Sequence, residues 1–275
     1  EPVVEFGVRL GAKLRVKSLV GDLPAGSKVL DVGCGRGVML RALLDLGHEA
    51  HGVEIAPEAA SGADPRAQIR IAPELSKAGY DANTFDAVIM WHVLEHLPHP
   101  EKTLAEIRRI LRPGGRLILA VPNFGSLQSQ RTGHDWFHLD LPRHLYHFTP
   151  ETLQRLLICN GFHSDSVRHM AMLQNSFGWL QSLLNRISGT PRNSLYSLLH
   201  RGGEHPVVRK LSWRQRWQLK LGYWFGLPIA AFVSLIEAVT RQGGTIAVSA
   251  TLGRALTPNA IATVVDESTV HPALA

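Results

Sequence analysis

Val29-Leu30-Asp31-Val32-Gly33-Cys34-Gly35-Arg36-Gly37 is the stretch that decides how this chain folds. Its first half is a short apolar run that fits a buried strand, and its second half is a glycine turn. Val38 to Leu46 follows with Met39, Leu40, Leu43 and Leu44 at helical spacing, and Gly47 stops it. Strand, glycine turn and helix in that order make a nucleotide-type site. The glycines turn the chain tightly, and their missing side chains let a ligand lie against the backbone. The next strand, Ala50 to Ile55, carries Glu54 near its end, where a carboxylate can hold two ribose hydroxyls. Gly37 comes one position too early for the G-x-G-x-x-G dinucleotide spacing, which argues against a nicotinamide-dependent dehydrogenase.

The alternation extends outward from this unit. Upstream, residues 3–23 read as a helix, ended by Pro24-Ala25-Gly26. Downstream come a short helix from Pro57, a weak strand from Arg66 to Ile71 and a strong strand from Asp86 to Trp91. A helix from Glu101 to Leu111 is stopped by Arg112-Pro113-Gly114-Gly115, and a strand runs from Arg116 to Val121. Strands separated by helices of this length imply a parallel sheet with helices on both faces and right-handed crossovers. After Pro122 the alternation stops, and Asn123 to His147 is a polar, aromatic, histidine-rich loop. Thr149 caps a helix running to about Cys159, with Pro150 in its first turn and Gly161 after it. Residues 163–170 suit a sixth strand, 174–241 read as wholly helical, and Thr245 to Leu252 is a last strand. The expected architecture is α/β, a seven-stranded mostly parallel sheet with a helical insertion before the last strand. Its core would be residues 1–173 and 242–254, its cap over the active site residues 174–241, and its mobile tail residues 255–275.

The bulk composition is that of an ordinary globular chain of 275 residues, 45% hydrophobic and 19% charged. Two cysteines exclude a disulfide framework and fit a reducing, cytoplasmic compartment. The net charge of +6 is spread without a long Lys/Arg block, so no nucleic-acid partner is expected. The sequence opens on Glu1, so its natural start is expected upstream; no signal-peptide pattern is visible.

Four stretches together resemble the class I S-adenosylmethionine-dependent methyltransferases. They are Val29 to Gly37, His51-Gly52-Val53-Glu54-Ile55, Phe85-Asp86-Ala87-Val88 followed by Leu94-Glu95-His96-Leu97, and Leu111-Arg112-Pro113-Gly114-Gly115-Arg116-Leu117. They occur in the family's order and at its spacing. The resemblance implies a Rossmann-like fold and S-adenosylmethionine as cofactor. It implies that Gly33 and Gly35 lie against the methionine and ribose parts and that Asp31 positions the loop and the amino group. Glu54 would hold the ribose hydroxyls, with Glu74 near the adenine amino group. Cys34, Gly37, Ile55 and His92 complete the cofactor set that it implies.

Acceptor chemistry is expected at the carboxyl edge of the sheet, where the fourth and fifth strands end. His92-Val93-Leu94-Glu95-His96 sits there. Its spacing formally matches an inverted zinc-protease motif, but the surrounding context is a methyltransferase pattern. It also resembles the Glu-x-x-Glu-His metal-binding stretch of ubiquinone-pathway O-methyltransferases. His92 replaces the first glutamate, so no metal is expected. Gly133 to Phe148, with Val121-Pro122-Asn123 before it and Thr152-Leu153 through Gly161-Phe162 after it, resembles a bacterial methyltransferase subfamily. Members commonly lie near genes for surface glycans or small-molecule biosynthesis. His144, His96 and Arg143 are the expected catalytic residues, and Trp136, His138 and Tyr146 the expected substrate contacts. An oxygen acceptor must lose a proton, which a positioned histidine can take.

The expected reaction is methyl transfer to a small-molecule, glycan or lipid-linked acceptor, most often an oxygen. The competing readings are a nucleic-acid or protein methyltransferase and a non-catalytic cofactor-binding protein of the same fold. The residues after the fourth strand, Met90-Trp91-His92-Val93, lack the Asn/Asp-Pro-Pro-Tyr/Phe pattern of amino-directed DNA enzymes. Within the insertion, Leu221 to Ile236 carries no charged residue but falls short of the roughly 20 residues a membrane span needs, and reads as a buried helix or helical pair covering the active site. Trp213, Trp217, Trp224 and Phe225 beside Arg209, Lys210, Arg214, Arg216 and Lys220 also suit an interfacial anchor for anionic lipid. Residues 209–236 are therefore the expected peripheral contact with the inner face of a membrane.

Overall fold

A computed structural model of the chain describes residues 2–169, 172–187, 189–200 and 205–252. Seven strands form one sheet: β1 (Lys28–Val32), β2 (Glu49–Glu54), β3 (Gln68–Ile71), β4 (Phe85–Trp91), β5 (Leu111–Pro122), β6 (Phe162–Arg168) and β7 (Thr245–Leu252). Their order across the sheet is β3-β2-β1-β4-β5-β7-β6. β1 pairs in parallel with β2 and β4, with Asp31 opposite Gly52 on one side and Ile89 on the other. β7 runs antiparallel to both β5 and β6. The expected seven-stranded, mostly parallel Rossmann-like sheet is therefore present. The strand order reverses between β1 and β4, and their carboxyl ends open the crevice in which such sheets bind ligands.

The helices preceding the insertion are α1 (Pro2–Val20), α2 (Val38–Asp45), α3 (Pro57–Ala60), α4 (Pro100–Ile110), α5 (Leu127–Thr132) and α6 (Pro150–Cys159). Successive side chains of a strand face opposite sides. Leu30, Val88, Met90 and Leu117 accordingly join Leu104 and Ile107 of α4 and Leu153 of α6 in one apolar layer. Val29, Ala87, Ile89 and Ile118 join Val16 of α1 and Leu40 and Leu43 of α2 in the other. Burial on both faces explains why β1 and β4 read as nearly unbroken apolar runs. β5 begins at Leu111, earlier than the Arg116 expected. Its pairing with β4 jumps from Phe85 opposite Leu111 to Ala87 opposite Arg116, so the Pro-Gly-Gly turn forms an irregularity inside the strand.

The insertion consists of α7 (Met172–Ile187), α8 (Ser194–His200), α9 (Pro206–Arg209) and α10 (Trp213–Val239). The expectation of a buried helix or helical pair at 221–236 is corrected here. α10 is one continuous helix of 27 residues with Pro228 inside it. Gly222 and Gly226 do not break it. A Cβ on Gly222 would come within 3.0 Å of Leu184 Cδ2, and one on Gly226 within 2.7 Å of Leu180 Cδ1. Glycines four apart thus form the stripe that lets α10 approach α7 closely. Pro228 lies on the exposed side, where a lost backbone bond costs least. That side also carries exposed Trp213, Trp217, Trp224, Phe225, Ile229, Phe232 and Val239. The expected tail at 255–275 lies outside the described residues.

Candidate active site

The glycine loop joins β1 to α2 and is tied to β2. Gly33 and Cys34 both donate backbone N–H groups to the Val53 carbonyl, at 2.8 and 3.2 Å. Gly33 (φ 73°) and Gly35 (φ 48°) hold left-handed conformations that favour glycine. They serve different ends. A Cβ on Gly33 would strike Val93 at 2.6 Å, whereas one on Gly35 would meet nothing within 4 Å. Gly33 therefore lets the turn after β4 pack against the loop, and Gly35 leaves open space in front of it.

Glu54 closes this side. Its Oε2 accepts the N–H of Gly35 at 2.8 Å and its Oε1 that of Ile55 at 2.8 Å. Oε1 also accepts the N–H of Ala56 at 3.3 Å, so the lone pair left for a hydroxyl donor lies on Oε2. Asp31 is 3% exposed. Burial, reinforced by the charge of Glu54, pushes its carboxyl up to about 7. The Cys34 thiol is buried, and burial, with Asp31 and Glu54 adding to it, pushes it up to about 12. Its Sγ fills the space above Gly52, so only the Cys34 backbone is free to meet a ligand. Ile55 is exposed beside the loop. Glu74 is exposed and accepts a hydrogen bond from Ser76 at 3.2 Å within its own turn.

The opposite wall is a cluster of imidazoles. His92 follows β4 with φ 55°, a strained value for a residue with a Cβ. Its N–H is held by the Ala120 carbonyl at 2.8 Å, and its Nδ1 lies 3.1 Å from Glu95 Oε1. The Glu95 carbonyl accepts the N–H groups of Leu145 at 2.8 Å and Tyr146 at 3.3 Å, which brings the histidine-rich loop onto the His92–His96 turn. His96 donates Nδ1–H to the Arg143 carbonyl at 2.9 Å, and His144 donates Nδ1–H to the His138 carbonyl at 2.6 Å. A carbonyl can only accept, so Nδ1 carries the proton in both rings and Nε2 keeps a lone pair. The two rings are 4.7 Å apart, and those of His92 and His138 stack at 5.7 Å.

Burial disfavours the charged form of two of these imidazoles. Burial, aided by His92 and His144, holds the His138 imidazole well below its ordinary value. Burial also lowers His144, against the opposing pull of its bond to His138. Burial alone would raise the Glu95 carboxyl, but the hydrogen bond and charge of His92 outweigh it and the net shift is downward. Nε2 of His92, Nε2 of His138 and Oε2 of Glu95 are buried with no hydrogen-bond partner. Such atoms are costly to leave unpaired and mark where a ligand group would bind.

The remaining expected residues fall in different places. The Arg143 side chain is 57% exposed and paired with Asp140 at 3.1 Å, so its contact with the cluster is its carbonyl. Trp136 is 1% exposed and donates Nε1–H to Gln128 Oε1 at 3.2 Å, inside the loop's own core. Tyr146 is partly exposed and donates to the Pro98 carbonyl at 3.2 Å. Glu95, left without a role by sequence reasoning, proves to be the hub that links His92 to the loop. Its signal was its apolar surroundings, Val93, Leu94 and Leu97, which mark the turn as buried.

The insertion reaches this site. Gly178 of α7 lies so close that a Cβ there would come 3.2 Å from His138 Nε2. His200 of α8 feels the charge of Arg36 in the glycine loop, which adds to burial in lowering it. From the other side, Arg15 of α1 lies 4.4 Å over the ring of Trp91 and donates to Gln174 of the insertion at 3.4 Å.

A family model described as a methyltransferase domain matches residues 9–167. Over 133 residues the chain is 31% identical to a ubiquinone biosynthesis O-methyltransferase of Xanthomonas oryzae pv. oryzae, covering 45% of this chain and 56% of that one. Over 186 residues it is 28% identical to the protein of the same description from Cereibacter sphaeroides, covering 62% and 73%. The chain spans about half the length of most curated relatives it matches. Among solved structures, an S-adenosylmethionine-dependent methyltransferase from Archaeoglobus fulgidus superposes with a TM-score of 0.54 at 20% identity, covering 88% of this chain and 93% of that one, a likeness of fold.

Proposed function

Because this chain belongs to the methyltransferase-domain family, whose model matches residues 9–167, we propose that it transfers the methyl group of S-adenosylmethionine to an oxygen of a small-molecule, glycan or lipid-linked acceptor. The residues present fit the cofactor. Gly35 opens onto free space, Glu54 Oε2 keeps a lone pair for a ribose hydroxyl, and Asp31 offers a carboxylate that a cationic amino group would draw into its charged form. When bound, S-adenosylmethionine supplies an activated methyl on a sulfonium. The chain has to bind and align the acceptor, exclude water and remove a proton.

The observation that carries this reading is the contact of Gly33 with Val93. It sets the cofactor loop directly against the turn that bears His92, Glu95 and His96. The Nε2 lone pairs of His144 and His96 are oriented by backbone carbonyls and suit the acceptor's proton. Asp31, Gly33, Cys34, Gly35, Gly37, Glu54 and Ile55 form the cofactor side of this reading. His138 and Tyr146 border the acceptor side, and α7 and α8 act as its cover. The decisive experiment is transfer of a labelled methyl group to a panel of phenols, sugars and lipid-linked acceptors. Transfer to an oxygen is the expected result. Tight cofactor binding without transfer to any acceptor would instead make the chain a binding protein.

The acceptor class connects to α10. This helix is long and apolar enough to cross a membrane by length and composition. Its inner side, with Leu219, Ala230, Ser234 and Glu237 buried, packs on the insertion, and its first half carries Arg214, Arg216 and Lys220. A helix held on one side and basic at one end suits lying on an anionic bilayer rather than spanning it. The chain is accordingly assigned to the cytoplasm and the inner membrane face, within reach of lipid-linked substrates.

A further inference from the structure

Among the described residues, a row of buried polar atoms without a hydrogen-bond partner follows the carboxyl edge of the sheet: Nε1 of Trp91, Nε2 of His92 and of His138, Oδ1 of Asn175 and Oγ1 of Thr245. His138 is 9% exposed, and Asn175 and Thr245 are each 1% exposed. We propose that this row is the floor of a subsite for a polyhydroxylated acceptor, a pyranose ring held through several of its hydroxyls beside the cofactor loop.

The members of the row adjoin one another. The rings of Trp91 and His92 are 6.2 Å apart, and those of His92 and His138 stack at 5.7 Å. Over His138 lies α7, where a Cβ on Gly178 would come 3.2 Å from His138 Nε2 and 2.6 Å from Gln128 Oε1. Asn175 is one turn before Gly178 and therefore on the same side of that helix. Its carbonyl accepts Gln128 Nε2 at 3.4 Å. Gln128 packs on Gly244, and the next residue, Thr245, pairs with Pro122 at the end of β5. The row thus spans the sheet from the end of β4 to the start of β7.

Hydrogen-bonding capacity selects the ligand. The Trp91 indole can only donate. His92 gives Nδ1–H to the Glu95 carboxylate at 3.1 Å, so its Nε2 accepts. Asn175 spends Nδ2 on the His169 carbonyl at 3.2 Å, and its Oδ1 accepts. Thr245 can do either. An anion would meet only the donors of this row and an ammonium group only its acceptors, whereas a hydroxyl meets both. A phenol brings one hydroxyl and a catechol two, which leaves most of the row buried and unpaired, a costly arrangement. A ring with hydroxyls on successive carbons satisfies it. The contact of Gly33 with Val93, next to His92, sets one end of the row against the cofactor loop. On the proposed methyl transfer to oxygen, on which this consequence rests, the hydroxyl nearest that loop gains the methyl as the carbon–sulfur bond breaks, and its proton passes to a histidine of the cluster.

The test is saturation-transfer NMR on the intact chain with S-adenosylhomocysteine present. The probes are the methyl pyranosides of glucose, mannose, galactose and rhamnose, with catechol as a planar diol. Saturable binding of at least one pyranoside is expected, roughly tenfold or more tighter than catechol. Thr245→Val and Trp91→Phe should each weaken that pyranoside about tenfold, by loss of one hydrogen bond. The exposed His163→Ala should leave it unchanged. Thr245→Val exchanges an unpaired buried hydroxyl for a methyl group, so the free variant should unfold at the same or a higher temperature, which separates loss of the sugar from loss of the fold. Failure of all four pyranosides to saturate, binding of catechol as tight as that of the pyranosides, or unchanged affinity in both variants would overturn the subsite. Binding is read here without turnover. Methyl transfer to phenols with no pyranoside bound would sink the subsite and leave oxygen transfer standing, and pyranoside binding without transfer would do the reverse.

Discussion

The Glu54 carboxylate ties the end of β2 to the cofactor loop, taking the Gly35 N–H at 2.8 Å on one oxygen and the Ile55 N–H at 2.8 Å on the other. The bridge orders the glycine turn before any ligand arrives. Glu54→Ala removes both the bridge and the acceptor for ribose hydroxyls. Cofactor affinity should fall roughly tenfold or more, from lost charge-assisted hydrogen bonds. Glu54→Gln keeps one carbonyl oxygen and should fall between. Calorimetry with S-adenosylmethionine measures both. Unchanged affinity in Glu54→Ala would remove Glu54 from the site.

Asp31 supplies a pH dependence with a definite sign. Burial and Glu54 push its carboxyl up to about 7, from an unfolded value near 3.8. Between these two values the folded chain binds a proton that the unfolded chain has lost, so native stability falls as pH rises from about 4 to about 7 and levels off above. Asp31→Asn should flatten that limb and raise the thermal midpoint of the ligand-free chain above pH 7. Cofactor binding should show the opposite trend. A cationic amino group favours the ionised carboxylate, so affinity rises through pH 7 in the native chain and loses this slope in Asp31→Asn. Thermal scans and calorimetry across pH 5–9 test both slopes.

His144→Ala should retain cofactor binding but lower turnover on an oxygen acceptor by about a hundredfold or more, in line with loss of a positioned acid–base group. Arg143→Ala should do far less. Among the described residues its side chain pairs with Asp140 alone, in an exposed contact, while its carbonyl, which the substitution keeps, holds His96. A change under about fivefold matches the small worth of exposed pairs. A large loss in Arg143→Ala would mean that the guanidinium itself meets the substrate.

The contrast between His144 and Arg143 illustrates how much of this chain was legible in its sequence. The sheet was legible because both its faces are covered. Strands β1 and β4 had to be apolar throughout, whereas Gly33, read as a place for a ligand, also proves to seat Val93 against the loop. Glu54 was legible because its distance from the loop is fixed by one strand–helix–strand unit. The acceptor side was not. His144 and Glu95 are brought together by backbone bonds from Leu145 and Tyr146 to the Glu95 carbonyl, and no periodicity records such bonds. Trp136 was misleading for a related reason: an aromatic in a polar loop suggests a pocket wall, yet its Nε1–H is satisfied inside the loop by Gln128. In α10, residue types alone did not distinguish glycines that break a helix from glycines that seat it against Leu180 and Leu184.

Gln128 also links the site to the insertion. Its N–H donates to Glu237 Oε1 at 3.0 Å and its Nε2 to Glu237 Oε2 at 3.4 Å, while its Oε1 receives Trp136. Glu237 lies fully buried in α10. Burial raises its carboxyl, against the opposing hydrogen bonds from Gln128. Glu237→Ala would leave the Gln128 N–H buried without a partner and should cost about 1–3 kcal/mol. Because α10 is anchored to the loop at this point, acceptor turnover should fall as well. Chemical denaturation measures the first effect and steady-state kinetics the second. Glu237→Gln, which preserves an acceptor oxygen, should recover part of both.

The exposed side of α10 yields the last prediction. Trp224 and Phe225 are each 73% exposed, Ile229 66% and Phe232 65%, on one side of a helix whose other side is packed. Arg214 stacks over Trp213 at 5.5 Å and Lys220 over Trp217 at 5.7 Å, so cations and indoles share the helix's first turns. This combination favours the boundary between headgroups and acyl chains of an anionic bilayer. The chain should float with vesicles of mixed phosphatidylglycerol and phosphatidylcholine, and float less with phosphatidylcholine alone. High salt should weaken this binding without abolishing it, since the apolar contribution is insensitive to screening. Trp224→Glu combined with Phe225→Glu should abolish flotation while leaving cofactor affinity unchanged, because both side chains point away from the insertion's core. A chain that stays at the bottom of the gradient with anionic vesicles would detach the lipid-linked acceptor from the reading and leave soluble phenols and sugars.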